Sequence, residues 1–255
     1  MRKLFLFYSA VLLFVSSSKA IDHSNLDEGR PLRVEDSYPI ASGEFAVEFG
    51  MGYVVQRRGS DDAFFPVEVL YGIFPNAHVA IGTTLSTDPD GVDESDRSGD
   101  LHFEALYNFN QETLWAPAFG LKASANFPTG LRSRGVDVEL KGLITKSISR
   151  LSFYFNPAYE FIGGSDAGER SGIYSFTLGA SYPVGAPMYT RTTLIGDVFT
   201  EQSNRRGESN VYGAEIGFRH QVTQRAVIDF GVGSEFAGPA ERSIFFVTAG
   251  MSYAF

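Results

Sequence analysis

Cysteine is absent from the 255 residues, which removes disulfides, thiolate metal ligands and a lipid-modified N-terminal cysteine together. Long apolar runs are missing as well. Beyond the N-terminus none approaches the roughly 18 residues that a spanning helix requires, so a polytopic helical membrane protein is excluded. Basic residues are few, 21 Lys and Arg against 30 Asp and Glu, and phosphate-rich nucleic acid needs clustered cations, so nucleic acid is excluded as a partner. What the chain does have is glycine and phenylalanine, 27 and 23 residues. An aromatic content of 14% excludes a disordered chain. Hydrophobic residues reach 44% while mean hydropathy is only −0.06, so apolar and polar positions must be interleaved.

The first twenty residues read as an export signal. Arg2 and Lys3 precede an apolar stretch from Leu4 to Val15, and Ser18-Lys19-Ala20 places small residues at −3 and −1 of a cleavage site after Ala20. An uncleaved anchor is the weaker reading, because a run of about a dozen residues is too short to span. Three of the 21 basic residues lie in this segment, leaving 18 against 30 acids, a net −12, on the mature chain.

From Glu44 to the last residue the hydrophobic period is two. Phe245, Val247, Ala249, Met251, Tyr253 and Phe255 share one face of the last segment, as Phe45, Val47, Phe49, Met51, Tyr53 and Val55 share one face of the first. Between them the pattern predicts strands near 63–74, 78–88, 99–110, 116–128, 136–147, 150–162, 172–183, 189–202, 209–220 and 226–236, about twelve in all, the even number that single-chain bacterial barrels have. The connections alternate. Pro75-Asn76, Gln111 to Trp115, Ser147 to Ser149, Val184 to Met188 and Gln221 to Arg225 are short. Gln56 to Asp62, Asp88 to Ser98, Pro128 to Gly135, Gly163 to Ser171, Gln202 to Glu208 and Ala237 to Arg242 are more charged and often longer. Outer-membrane barrels have short periplasmic turns and longer outer loops, so both termini are expected on the periplasmic side.

Opposite strand faces differ in kind. One parity is apolar; the other carries Glu48, Glu68, His102, Glu104, Lys122, Glu139, Lys141, Asp197, Glu215 and Arg219 as the candidate lumen-facing residues, with Glu44, Asp137, Glu160, Glu201, Asp229 and Glu235 beside them. Alternation alone fits a soluble sandwich as well as a membrane barrel. Aromatics near both strand ends (Phe65 with Phe74, Tyr174 with Tyr182, Phe245 with Tyr253) favour the barrel, since their spacing matches two interfacial girdles. The terminal Phe255, with Tyr253 and Met251 on its face, is similar to the C-terminal signature that outer-membrane proteins present to the barrel-assembly machinery. The reading is an all-β, transmembrane, antiparallel up-and-down barrel in the outer membrane of a Gram-negative-type bacterium. Residues 1–20 form the signal peptide, 21–43 a polar N-terminal segment and 44–255 the barrel. The polar segment either plugs the lumen or hangs in the periplasm.

A family resemblance rests on several stretches in order. Arg30-Pro31-Leu32-Arg33-Val34-Glu35-Asp36 is followed by Gly43-Glu44-Phe45-Ala46-Val47-Glu48, then Tyr71-Gly72-Ile73-Phe74-Pro75-Asn76, then Gly99-Asp100-Leu101 continuing to Tyr107-Asn108-Phe109, and Pro117 through Phe127-Pro128-Thr129-Gly130. Together they resemble the MetA-pathway phenol-degradation-like outer-membrane transporters over roughly residues 30–255. Leu106 stands where similar proteins often carry a lysine before the tyrosine. The resemblance implies an outer-membrane barrel that moves hydrophobic or aromatic compounds.

No catalytic chemistry is legible. His23, His78, His102 and His220 have no ligand spacing, so no metal site and no cofactor are expected. No Ser–His–acid arrangement is identifiable, so an enzyme is not expected. His102 beside Glu104 reads as a lumen hydrogen-bonded pair. The acidic stretch Asp88 to Asp96 lacks EF-hand order and reads as solvated loop charge rather than a Ca²⁺ site. Acids heavily outnumber Lys122, Lys141 and Arg219 on the lumen parity, which would favour cations, unless acids and bases simply brace the barrel. The function expected is a monomeric passive channel for small, hydrophobic or aromatic solutes, in contact with outer-membrane lipid. The alternative is a non-transporting structural or surface-interaction protein with a filled lumen.

Overall fold

The computed structural model describes residues 21–26, 30–87, 99–130, 133–240 and 242–255. The export signal and the acidic stretch 88–96 lie outside the described residues. Twelve antiparallel strands follow in order: β1 (Phe45–Gln56), β2 (Asp62–Phe74), β3 (Ala77–Ser86), β4 (Leu101–Asn110), β5 (Ala118–Phe127), β6 (Asp137–Ile148), β7 (Leu151–Phe161), β8 (Gly172–Val184), β9 (Thr192–Glu201), β10 (Val211–Gln221), β11 (Ala226–Ala237) and β12 (Ser243–Ala254). Each pairs with its sequence neighbours, and β1 pairs with β12 to close the barrel, with Gly50 opposite Gly250 at the seam. Closure leaves no strand edge unpaired, the condition for backbone to cross hydrocarbon.

Strand limits follow the hydrophobic period to within a few residues. The clearest difference is at β9, expected from 189 but beginning at Thr192, because Pro187–Tyr189 form a short 3-10 turn that uses up the chain before pairing starts. One end of the barrel carries short turns, down to the two-residue turn between β6 and β7, where Ser149 takes a φ of 59°. A positive φ fits the twist of a tight hairpin. The other end carries the longer loops. We call them the turn end and the loop end.

The outer wall is apolar from end to end. Phe103, Leu121, Leu140, Phe155, Leu178 and Val198 are all exposed. Aromatic pairs gather at two heights. Phe45 with Tyr71, Tyr107 with Phe109, and Tyr253 with Phe255 ring the turn end, with centroids 4.4, 5.2 and 5.1 Å apart. Phe103 with Phe127, Tyr159 with Phe161, and Tyr174 with Phe176 ring the loop end, at 5.6, 4.8 and 5.6 Å. An apolar band between two aromatic girdles is the surface that a bilayer stabilises.

Candidate functional site

The interior is where this chain departs from a simple tube. Residues 21–26 and 30–43 lie inside the barrel. Ile21 is fully buried at the turn end beside the β10 terminus, where its carbonyl accepts from Gln221. His23 donates from its backbone to Gln221 and pairs with Thr193 at 2.7 Å. The segment then rises toward the loop end as far as Arg33 and descends again to Gly43, whose N–H donates to the Gly72 carbonyl at the foot of β2. The two limbs are tied together near mid-height, where Asp36 donates to the Leu26 carbonyl and the Leu26 N–H donates to the Asp36 carboxylate.

An irregular segment buried in a barrel has no sheet to satisfy its backbone, and an orphaned buried N–H costs about 1–3 kcal/mol. Lumen side chains take over that role. The N–H groups of Arg33, Val34, Glu35, Ser37 and Ile40 donate in turn to Glu215, Asp197, Asn156, Thr145 and His78, at 2.7, 3.1, 2.9, 3.0 and 3.2 Å. Asn156 also donates to the Glu35 carbonyl and Asn108 to the Ser37 carbonyl, at 3.0 and 2.8 Å. These polar strand residues therefore act as a substitute sheet for the inner segment.

Charge follows the same logic. Arg30 forms an ion pair with Glu48, faces Asp229 at 3.5 Å and donates to the Phe49 carbonyl at 3.0 Å. Arg33 bonds Glu201 at 2.6 Å and sits near Glu215 and Glu235, with its guanidinium 4.0 Å over the Phe199 ring. Glu35 receives Lys122 at 2.7 Å, with Lys141 at 3.9 Å. The acidic excess on the barrel wall is thus met partly by two arginines that the inner segment brings in.

Volume is matched as well. A Cβ at Gly50 would lie 2.5 Å from the Arg30 side chain, and one at Gly250 would collide with the same guanidinium. Cβ atoms at Gly231 and Gly179 would strike the Pro31 carbonyl and the Val34 side chain. Glycines on β1, β8, β11 and β12 clear a track along which residues 30–34 run. Leu26, Leu32 and Val34 pack with Tyr154 and Ile195, and Ile21 and Ile40 with Leu70 and Val227, so the segment carries its own small apolar cores.

The ten lumen candidates occupy distinct places. Glu48 and Arg219 lie near the turn-end half of the β1–β12–β10 wall, where Arg219 is fully buried and donates to the Asn25 carbonyl and Ser252. Asp197 and Glu215 are opposite one another on β9 and β10 and hold the Arg33–Val34 backbone. Lys122 and Lys141 are register partners on β5 and β6, and Lys141 also reaches Glu139 at 3.5 Å. Glu68, His102 and Glu104 come together on β2 and β4. Sequence reasoning singled out neither Arg30, Glu35, Asn108 nor Thr145 as site residues. The signal available for Arg30 was the imbalance itself: a wall so rich in acids requires cations from elsewhere in the chain.

Water-sized space remains at both ends of the β6–β8 wall. A cavity of about 380 Å³ opens toward the loop end, lined by Arg33, Glu139, Lys141, Glu160, Thr177 and Phe199 among others. A second, of about 450 Å³, opens toward the turn end against Thr145, Tyr154, Ser181 and Asp36. Both lie along β6, β7 and β8. The wall positions between them are Leu143 and Asn156, with Glu35 bonded to Asn156.

The twelve-stranded closed barrel with an apolar belt and a charged, partly filled lumen defines a transmembrane β-barrel of the outer-membrane kind. The chain belongs to the family described as putative MetA-pathway of phenol degradation, whose model matches residues 29–255. Among solved structures, an outer-membrane channel from Pseudomonas putida F1 superposes with a TM-score of 0.66 at 11% identity, covering 91% of this chain and 100% of its own. The NanC porin superposes at 0.57 and 10% identity, covering 82% of this chain and 98% of its own. The KdgM porin gives 0.54 and 10%, over 82% and 99%. These likenesses are of fold. No curated protein matches the chain.

Proposed function

We propose that the protein is a passive outer-membrane channel for small solutes, with both termini in the periplasm and the inner segment 21–43 as its constriction. The observation that carries this reading is the pair of cavities on the β6–β8 wall, one facing each end, with Leu143 and the Glu35-bonded Asn156 as wall positions between them. A filled structural barrel has no need of aligned vestibules. The family description points to phenolic compounds, and the mostly polar wall of the loop-end cavity includes Phe199 beneath the Arg33 guanidinium. The cargo that suits both is a small aromatic bearing a hydroxyl group. Contact with outer-membrane lipid, assembly through the Phe255 terminus and a monomeric state belong to the same reading.

The rival reading, a non-transporting barrel, draws on one observation: Arg30, Glu35 and Arg219 tie the inner segment to the wall through buried charges. Planar-bilayer conductance together with liposome swelling separates the two. Steady small conductance and uptake of small solutes are expected of the channel. No conductance and no uptake would refute it.

A further inference from the structure

Glu68, His102 and Glu104 form a cluster that the constriction does not use. The His102 Nε2 lies 3.9 Å from Glu68 Oε1 and 3.6 Å from Glu104 Oε2, and one ligand-type atom from each residue falls within 4.8 Å of the other two. Their meeting is unusual in origin, because β3 runs between β2 and β4. Register places Glu68 opposite Gly82, and Gly82 opposite His102. Gly82 has no side chain, so Glu68 and His102 reach each other over the intervening strand. Any larger residue there would occupy the space between them.

The surroundings orient the donors. His102 Nδ1 bonds Asn126 Oδ1 at 2.9 Å, which makes Nδ1–H the donor and turns the Nε2 lone pair toward the two carboxylates. The His78 Nδ1 accepts from the Ile40 N–H, so its Nε2–H donates to Glu104 Oε1 at 3.4 Å. Lys122 lies 3.2 Å from Glu104 Oε2 while also holding Glu35 at 2.7 Å. A carboxylate has about four lone-pair sites, so Glu104 keeps room for another partner. An imidazole whose far nitrogen is fixed by an acceptor, beside a carboxylate, Glu104, that is itself held by His78 and Lys122, is the kind of outer shell that protein metal sites use. A lone pair facing two carboxylates needs a positive charge between them, supplied by a proton or by a metal.

We propose that Glu68, His102 and Glu104 bind a divalent first-row transition ion, zinc foremost, on the lumen wall over Gly82. Tetrahedral bonds of about 2.1 Å place ligands about 3.4 Å apart, so small side-chain rotations close the present spacings. One nitrogen and two carboxylates suit such an ion in charge and in type. A cavity of about 330 Å³ that includes all three residues gives the ion access and leaves a coordination position for water. The site stands apart from the channel reading, since binding is measured without flux.

Zinc titration by calorimetry, on the metal-free barrel with segment 21–43 present in detergent, tests it. One zinc ion per barrel is expected, with His102→Ala weakening it at least about a hundredfold and Asn126→Ala about 10- to 100-fold through loss of orientation. Glu68→Gln, which alters one atom of an otherwise lightly held side chain, guards against a folding artefact and is expected to weaken binding as well. His220→Ala is expected to have no effect. Absence of zinc binding to the native barrel, or equal binding by the native protein and the His102→Ala and Glu68→Gln variants, would overturn the proposal in favour of a protonated His102.

Discussion

Arg30→Ala is the most direct test of how the inner segment is held. Arg30 is 6% exposed, and its carboxylate partners Glu48 and Asp229 have side chains only 3% and 0% exposed. Removing one member of a buried ion pair costs about 3–5 kcal/mol, because the remaining charge is left without its partner. Arg219, which also bonds Ser252, stays in place as a nearby cation and holds the figure toward the lower end. The barrel need not absorb this cost. All twelve strands keep their backbone pairing, so the relief available is release of residues 30–36 from the wall. At about 1.4 kcal/mol per tenfold, the released population rises about a hundredfold or more. Trypsin acting on folded barrel reports this at Arg33, which is only part-exposed when docked. Cleavage between residues 33 and 34 is expected to accelerate about a hundredfold with the barrel intact, and conductance to rise with it. Adding Glu48→Gln removes the stranded charge and is expected to restore part of the protection. Cleavage and conductance both within twofold of the native protein would refute the claim that Arg30 anchors the segment.

Gly231→Val should produce the same release by volume rather than charge, since its Cβ would meet the Pro31 carbonyl at 2.3 Å; limited trypsin digestion of the folded variant shows it. Arg33→Glu reverses the charge of a part-exposed side chain in the loop-end cavity and is expected to raise cation preference, read as a shifted reversal potential under a salt gradient. Leu178→Arg places a charge on the lipid face at the middle of β8 and should destabilise the folded barrel by about 2–4 kcal/mol in urea titrations in lipid vesicles.

The barrel was legible because period two is a direct print of the pleat: side chains alternate between lipid and lumen, and a slip of one residue would invert every strand. Phe245 to Phe255 and Phe45 to Val55 show this at the two strands that close the seam. Which lumen residues touch was not legible, because contact depends on register. Glu68 and His102 are 34 positions apart in the chain, and only the pairing of both with Gly82 brings them together. Residues 21–43 defeated pattern reading for another reason. The N–H groups of Arg33, Val34, Glu35 and Ser37 find acceptors on four different strands and that of Asp36 on Leu26, so the sequence has no period to repeat.

The glycine track bears on how a solute passes. An open, water-filled lumen would place no demand for missing side chains at Gly50, Gly179, Gly231 and Gly250, yet each clears space for residues 30–34. Residues 30–34 are therefore fitted to β8, β11, β12 and β1, and passage without their release is expected along β6 and β7, which line both cavities. Between them Asn156 donates to the Glu35 carbonyl and accepts from the Glu35 N–H. Asn156→Ala removes this bridge and opens the layer from the wall, while the Arg30 ion pair and the glycine track still hold the segment. Conductance is expected to rise severalfold with trypsin sensitivity at Arg33 unchanged, the reverse of the coupling expected for Arg30→Ala. A rise in both together would mean that Asn156 serves as an anchor and that the β6–β8 wall is not the path.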